Sequence, residues 1–368
     1  MNTLELSSCP VNSHNEWDPL EEVIIGSLNG AMFPSWNVIN YATVPPGEWA
    51  EAAKKLGGEG KPYPQWIVEP ALKDLAEFIH ILEAEGVKVR YINPAPNHFN
   101  TPFGTPDWRV ETGFCAANPR DPFMVIGNEI LETPMADRCR YFEAWSYRKL
   151  FKEYFKAGAK WTAAPKPQLL DDLYDWNYTV PKPDEPMRFM INEFEPVFDA
   201  ADFVRCGQDI FCQTSNVTNH FGIEWLQRHL GNKYRVHTLV SRCPEAIHID
   251  TTFMPLAPGK VLVNPEYLDF NKLPSILKKW DLLIAPDNPP PIRQDPLRLV
   301  SEWAGINVLM LDEKRVIVEK NQEPLIKAFK SWGFEPITCS FEAYYQFLGS
   351  FHCATLDIRR RGELKSYF

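Results

Sequence analysis

Short apolar runs recur along the chain, and the residues between them set the element types. Val23-Ile24-Ile25 reads as a first core strand, entered through Trp17-Asp18-Pro19 and closed by Gly26. The Gly- and Pro-rich stretch from Leu28 to Pro64 predicts a long surface excursion. Leu72, Leu75, Phe78, Ile79 and Leu82 then fall on one side of a helix over Val68–Glu85. Gly86 ends it, and Val87–Tyr91 alternates as a strand.

The same order of patterns then repeats. Phe123–Ile126 and Glu129–Leu131 flank a Gly127-Asn128 turn, as a hairpin does. A helix over Arg138–Ala157 and a strand over Ala159–Thr162 follow. Next come the hairpin Phe203–Cys212, a helix over Gly222–Leu230 and a strand over Tyr234–Val240. The fourth pass has the hairpin Thr252–Val263, a helix over Pro274–Lys279 and a strand over Trp280–Ala285, then a Pro-rich loop leading to Ser301. The fifth has the hairpin Val308–Val318, a helix over Pro324–Trp332 and a strand over Phe334–Thr338. A last strand, Ala354–Ile358, is placed to pair with Val23–Ile25 and close a ring.

These are about five β-β-α-β units. Loops preceding the strands end near residues 121, 199, 248, 301 and 353, with separations of 78, 49, 53 and 52. The longer first interval contains the Pro-rich insertion Ala164–Met190. Such a period predicts an α/β fold with radial repetition in one domain spanning residues 1–368. A conventional two-domain α/β arrangement is the alternative. In a closed ring the loop ends meet, so Asp121, Asp199, His248, Ser301 and Cys353 converge.

Composition narrows the function. With 38 basic and 48 acidic residues the net charge is −10, which argues against nucleic acid or an anionic membrane as the main partner. Met1–Pro10 lacks the features of a secretion signal, and no apolar run is long enough to span a bilayer. The eight cysteines are scattered without CxxC or zinc-like Cys/His spacing. The expectation is a soluble, cytoplasmic protein with reduced thiols, no metal and no cofactor.

A cysteine, a histidine and several carboxylates suit attack on an electron-poor, cationic carbon. A guanidinium group is planar, charged and matched to carboxylates. Asp121 and Asp250 are candidates to grip its N–H groups and aim its carbon at Cys353. His248 is the candidate acid and base, and Asp199 the carboxylate that orients it. Each has a plainer reading: Asp121 and Asp199 as turn or cap residues, His248 on an ordinary strand, Cys353 as a small buried hydrophobe, Ser301 as an N-cap. Strand alternation predicts that His352 faces away from Cys353 and is structural.

Several motifs resemble the amidinotransferase family: Asn15–Val23, Pro119-Arg120-Asp121, Gly158–Trp161, Ala164–Pro167, Glu195–Asp202, His248-Ile249-Asp250, Asn307–Arg315 and Phe351–Arg360. The resemblance runs in order over nearly the whole chain. It implies a five-bladed α/β propeller and transfer of an amidino group from arginine to an amine, releasing ornithine, without cofactor or metal. It also implies Cys353 as nucleophile, His248 as acid/base with Asp199 as its partner, guanidino contacts from Asp121 and Asp250, and substrate binding by Ser301. Some members of that family are dimers, so a homodimer is compatible with the resemblance.

The chain departs from the family in places. Gly349-Ser350 stands where the family has three glycines before Phe-His-Cys. Glycine-specific members carry an arginine after Asn-Pro-x that binds the donor carboxylate, whereas this chain has Asn264-Pro265-Glu266-Tyr267. The donor carboxylate is then expected to meet Tyr267 and backbone N–H groups. Glu245 and Ile247 replace the Asn and Met of glycine-specific members. Those replacements predict an acceptor larger than glycine, such as lysine or another diamine-like compound of specialised or toxin metabolism, with Glu245 holding a second cation. The rivals are an arginine:glycine enzyme, a guanidine-directed hydrolase that passes the intermediate to water, and a non-catalytic binder of cations.

Overall fold

The computed structural model describes residues 9–35, 38–44, 46–92, 99–182, 185–286 and 299–368. The Pro-rich loop before Ser301 falls largely outside them. The described residues are α/β, with five three-stranded sheets built to one plan. In each, two strands pair antiparallel and a helical connection returns a third strand parallel to the second. Phe123–Ile126, Glu129–Glu132 and Lys160–Ala163 form one such sheet. Phe203–Cys206, Asp209–Gln213 and Arg235–Leu239 form the next. Phe253–Ala257, Lys260–Val263 and Asp281–Ile284 follow, then Leu309–Met310, Arg315–Glu319 and Glu335–Cys339. The remaining sheet joins the chain's ends: Thr355–Arg360 pairs antiparallel with Leu20–Ile25, itself parallel to Lys88–Tyr91.

Turn chemistry supports this plan. The hairpins at Gly127, Gly207 and Gly259 all need a positive φ (59°, 72° and 76°), which glycine adopts without a Cβ clash. The hairpin after Met310 has no glycine; there Asp312 Oδ1 accepts the backbone N–H groups of Lys314 and Arg315, both at 2.9 Å. In every sheet the first two strands are largely buried and the third is half-exposed. The segment entering each first strand therefore leads into the interior of the protein. Those are the segments that carry Asp121, Asp199, His248, Ser301 and Cys353.

Three expectations need correction. The stretch from Leu28 to Pro64 is not a surface excursion. It forms helices Val38–Thr43 and Pro46–Lys55 and a short strand pair, and Phe33 stacks on Trp49 and meets Tyr63 edge-on in the largest apolar core. Arg138–Ala157 is not one helix: 3-10 turns at Arg138–Arg140 and Glu143–Tyr147 precede the α-helix Arg148–Lys156. The tighter turns let Arg140 reach both Glu143 and Asp121. Ser275–Lys279 is likewise a 3-10 helix. No helix among the described residues is long and apolar enough to cross a membrane.

A buried ionic network ties the sheets together. Asp357 accepts from Arg120 at 2.6 Å, Arg360 at 2.7 Å and Arg205 at 3.0 Å, and Arg205 also holds Glu16 at 2.8 Å. All five side chains are nearly inaccessible to solvent. The network joins the chain's beginning, its end and the segment bearing Asp121.

Candidate active site

Phe351–Ala354 forms a turn, in which the Ala354 N–H donates to Ser350 O at 2.9 Å, and the strand begins only at Thr355. Cys353 thus sits at a loop-to-strand junction. A Cβ on Gly349 would lie 2.2 Å from Asn118 Oδ1 and 2.9 Å from the Cys353 Cβ, so no larger residue fits. The glycine admits Asn118, which donates to Phe347 O at 2.8 Å and fixes the loop, and Gly349 itself lines the cavity beside Cys353.

Three groups meet at the sulfur. The donor atoms of Cys353, His248 and Asp121 all lie within 4.8 Å of one another. Among the described residues they are the one His, Cys and carboxylate group with spacing suited to a metal ion. His248 Nε2 is 3.2 Å from Asp199 Oδ2, and its Nδ1 is 3.7 Å from Asp121 Oδ1. Asp250 Oδ2 accepts from the Cys353 thiol at 3.2 Å. Of the five loop-end residues expected to converge, Asp121, Asp199, His248 and Cys353 meet here, joined by Asp250, whereas Ser301 is not in this cluster.

Electrostatics divides these groups. Burial, then the charge of Asp250, pushes the Cys353 thiol up to about 12, with His248 pulling the other way. Burial disfavours a charged His248, but Asp121, Asp199 and Cys353 outweigh it and raise the imidazole well above its usual range. For Asp250 burial acts upward, yet His352 and His248 hold its carboxyl below the usual range. Asp121 Oδ1 and Asp199 Oδ1 are buried without a hydrogen-bond partner, each an acceptor left open.

Other residues here carried no role in the sequence reading. Asn307 donates its side-chain amide to Cys353 Sγ at 3.1 Å and accepts the His352 N–H at 2.9 Å. Arg140 holds Asp121 at 2.9 Å and Glu143 at 2.7 Å, and lies 3.9 Å from Asp199. His352 precedes the strand, so alternation does not set its direction. It does not line the cavity, but it shares Asp250 Oδ2 with the Cys353 thiol rather than facing away from it. Its Nδ1 contacts Asp250 Oδ2 at 3.0 Å and its Nε2 contacts Glu16 Oε2 at 3.3 Å.

Cys353, His248 and Asp250 open onto a cavity of about 310 Å³. Ser301, Tyr267, Glu245 and Ile247 also line it, and Tyr267 Oη bonds Ser301 Oγ at 3.1 Å. Asp121 and Asp199 lie behind this wall. Glu48 and Glu302 add carboxylates, and among the described lining residues there is no lysine or arginine. Burial, then Glu48, raises the Glu245 carboxyl above its usual range. Such a cavity favours cationic ligands beside a thiol and an imidazole.

No protein-family model matches the chain. It is 49% identical to an L-arginine:L-lysine amidinotransferase of Pseudomonas savastanoi pv. phaseolicola, over 98% of both chains. It is 44% identical to the mitochondrial glycine amidinotransferase of Gallus gallus, over 98% of this chain and 85% of that one. Among solved structures, SxtG of Microseira wollei, an amidinotransferase in the saxitoxin biosynthetic pathway, superposes with a TM-score of 0.94 at 68% identity, over 98% of this chain and all of that one. A dimethylarginine dimethylaminohydrolase, 13% identical over 92% of this chain with a TM-score of 0.56, shares the fold. The chain belongs to the amidinotransferase family, whose members are transferases.

Proposed function

We propose that the protein moves the amidino group of L-arginine onto an amine larger than glycine, through an amidino-Cys353 intermediate. One observation carries this reading: sulfur, imidazole and Asp121 converge beside a cavity whose other charged groups, among the described lining residues, are carboxylates. The names of its relatives support arginine as donor. In the same reading the five sheets are the blades of a propeller, residues 1–368 act as one unit, and the site lies at the hub.

The guanidinium of arginine enters against Asp250, which lines the cavity, with the charge of Asp121 behind the wall adding to its attraction. Without it, Cys353 is a thiol that donates to Asp250; the arriving cation engages Asp250 and favours the thiolate. The thiol proton is released to solvent as arginine binds, leaving a thiolate beside the His248 imidazolium that Asp121 and Asp199 hold. The thiolate attacks the guanidino carbon. As the C–Nε bond breaks, His248 gives its proton to that nitrogen and ornithine leaves. The acceptor amine then attacks the amidino carbon, gives its proton to His248, and the C–S bond breaks to regenerate the thiolate.

Glu245 and Glu48 favour an acceptor with a second positive group, such as lysine or a diamine-like intermediate in specialised or toxin metabolism. Tyr267 and Ser301 are the candidates to meet the donor carboxylate, since no lysine or arginine among the described lining residues offsets it. Incubation with arginine and an amine panel separates the readings. Ornithine plus a new guanidino compound is expected. Citrulline and ammonia in the absence of any amine would assign a hydrolase instead.

A further inference from the structure

Residues 242–248 form the wall that carries Glu245 and Ile247, yet this segment holds no regular strand of its own. A loop of this kind takes its shape from what binds its backbone. Asn216 lies in the connection between strand Asp209–Gln213 and helix His220–Leu230, and it is fully buried. Its backbone N–H and its side-chain amide both donate to Ala246 O, at 2.9 and 3.1 Å. Its Oδ1 accepts the Met190 N–H at 2.9 Å. Tyr178, of the Pro-rich insertion, donates to Pro244 O at 3.3 Å. Ile247 rests on an apolar cluster that includes Leu169, Leu173 and Tyr174 of that insertion.

Ala246 is the one residue between Glu245 and Ile247, both of which line the cavity. Asn216 neither lines the cavity nor touches Cys353 or His248. We infer that Asn216 and Tyr178 are positioning residues for acceptor selection: they clamp the loop at Pro244 and Ala246 to the insertion, fixing where Glu245 and Ile247 face the incoming amine. The insertion thereby acts on the second half-reaction, because the donor is consumed before the acceptor meets this wall. The inference rests on the transfer reading and deepens it.

The test uses the full-length protein in two stages. Arginine alone gives the burst of ornithine and, by intact mass, the Cys353 adduct; glycine or L-lysine, whichever discharges the wild-type adduct faster, is the probe amine. Asn216→Ala is expected to keep the burst and the arginine KM within about twofold while raising the KM for that amine roughly tenfold, about one lost buried hydrogen bond. Tyr178→Phe, a smaller change that guards against misfolding of the first variant, is expected to shift the same KM severalfold with the burst intact. An unchanged amine KM in folded variants that still form the adduct would overturn the inference. Absence of the adduct in the wild type would instead overturn the transfer reading.

Discussion

The side-chain amide of Asn307 donates to the sulfur of Cys353 from 3.1 Å, while its carbonyl oxygen accepts the backbone N–H of His352. The donor favours a thiolate, and the acceptor keeps the turn in shape. Asn307→Asp retains the acceptor and replaces the donor with a negative charge. Adduct formation from arginine should slow about ten- to a hundredfold, the worth of a hydrogen bond to a charged group. The pH profile of Cys353 alkylation by iodoacetamide should move to higher pH, because the added charge raises the thiol further.

Asp250 has opposite effects on the free and the substrate-bound enzyme. Its carboxylate lies 3.2 Å from the sulfur and contributes to pushing the thiol up to about 12. Asp250→Asn removes that charge, so the thiol pKa falls and alkylation at mildly alkaline pH becomes faster than in the wild type. Transfer from arginine should nevertheless drop roughly ten- to a hundredfold, since the guanidinium loses a charged partner. Parallel alkylation and ornithine assays read the two directions.

Acceptor selection should follow the paired carboxylates. Glu245→Asn and Glu48→Gln are each expected to raise the KM for L-lysine roughly tenfold and to alter glycine turnover by less than about twofold, because only lysine offers a second cation. If glycine is the better acceptor in the wild type and Glu245→Asn leaves that ranking unchanged, the proposed second cation site is wrong.

Stability should depend on Asp357. Burial acts to raise its carboxyl, but Arg120, Arg360 and Arg205 hold it well below the usual range. A carboxyl depressed in the folded state stabilises fully above its unfolded pKa, and that contribution is lost as the pH falls through the folded value. Asp357→Asn, which leaves three buried guanidinium groups short of a charge, is expected to cost about 3–5 kcal/mol at neutral pH. Its stability should decline less steeply than the wild type's below about pH 4, where the unfolded carboxyl takes up protons. Urea unfolding across pH measures both.

The repeated plan of the sheets was legible because each hairpin carries its own turn signal and each loop ends at a similar interval. That regularity made Asp121, Asp199, His248 and Cys353 readable as one group although they are remote in sequence. Arg140, Asn307 and Asn216 were not legible in this way. Their roles depend on three-dimensional reach across sheets, and an asparagine or arginine in a loop has many ordinary uses. Leu28–Pro64 misled for a different reason: its glycines and prolines suggested exposure, whereas Phe33, Trp49 and Tyr63 are spaced too irregularly to show a helix or strand face and still pack together. Glu48, carried by that stretch, was overlooked with it.

Intact and peptide-level mass spectrometry of the protein treated with arginine, before any amine is added, bears on the amidino-thiol step itself. A mass gain of one amidino group located on Cys353, with one equivalent of ornithine released and the gain reversed by an amine that leaves as its guanidino derivative, is the expected result. Product formation with Cys353 unmodified at every time point, or retained in Cys353→Ala, would contradict it.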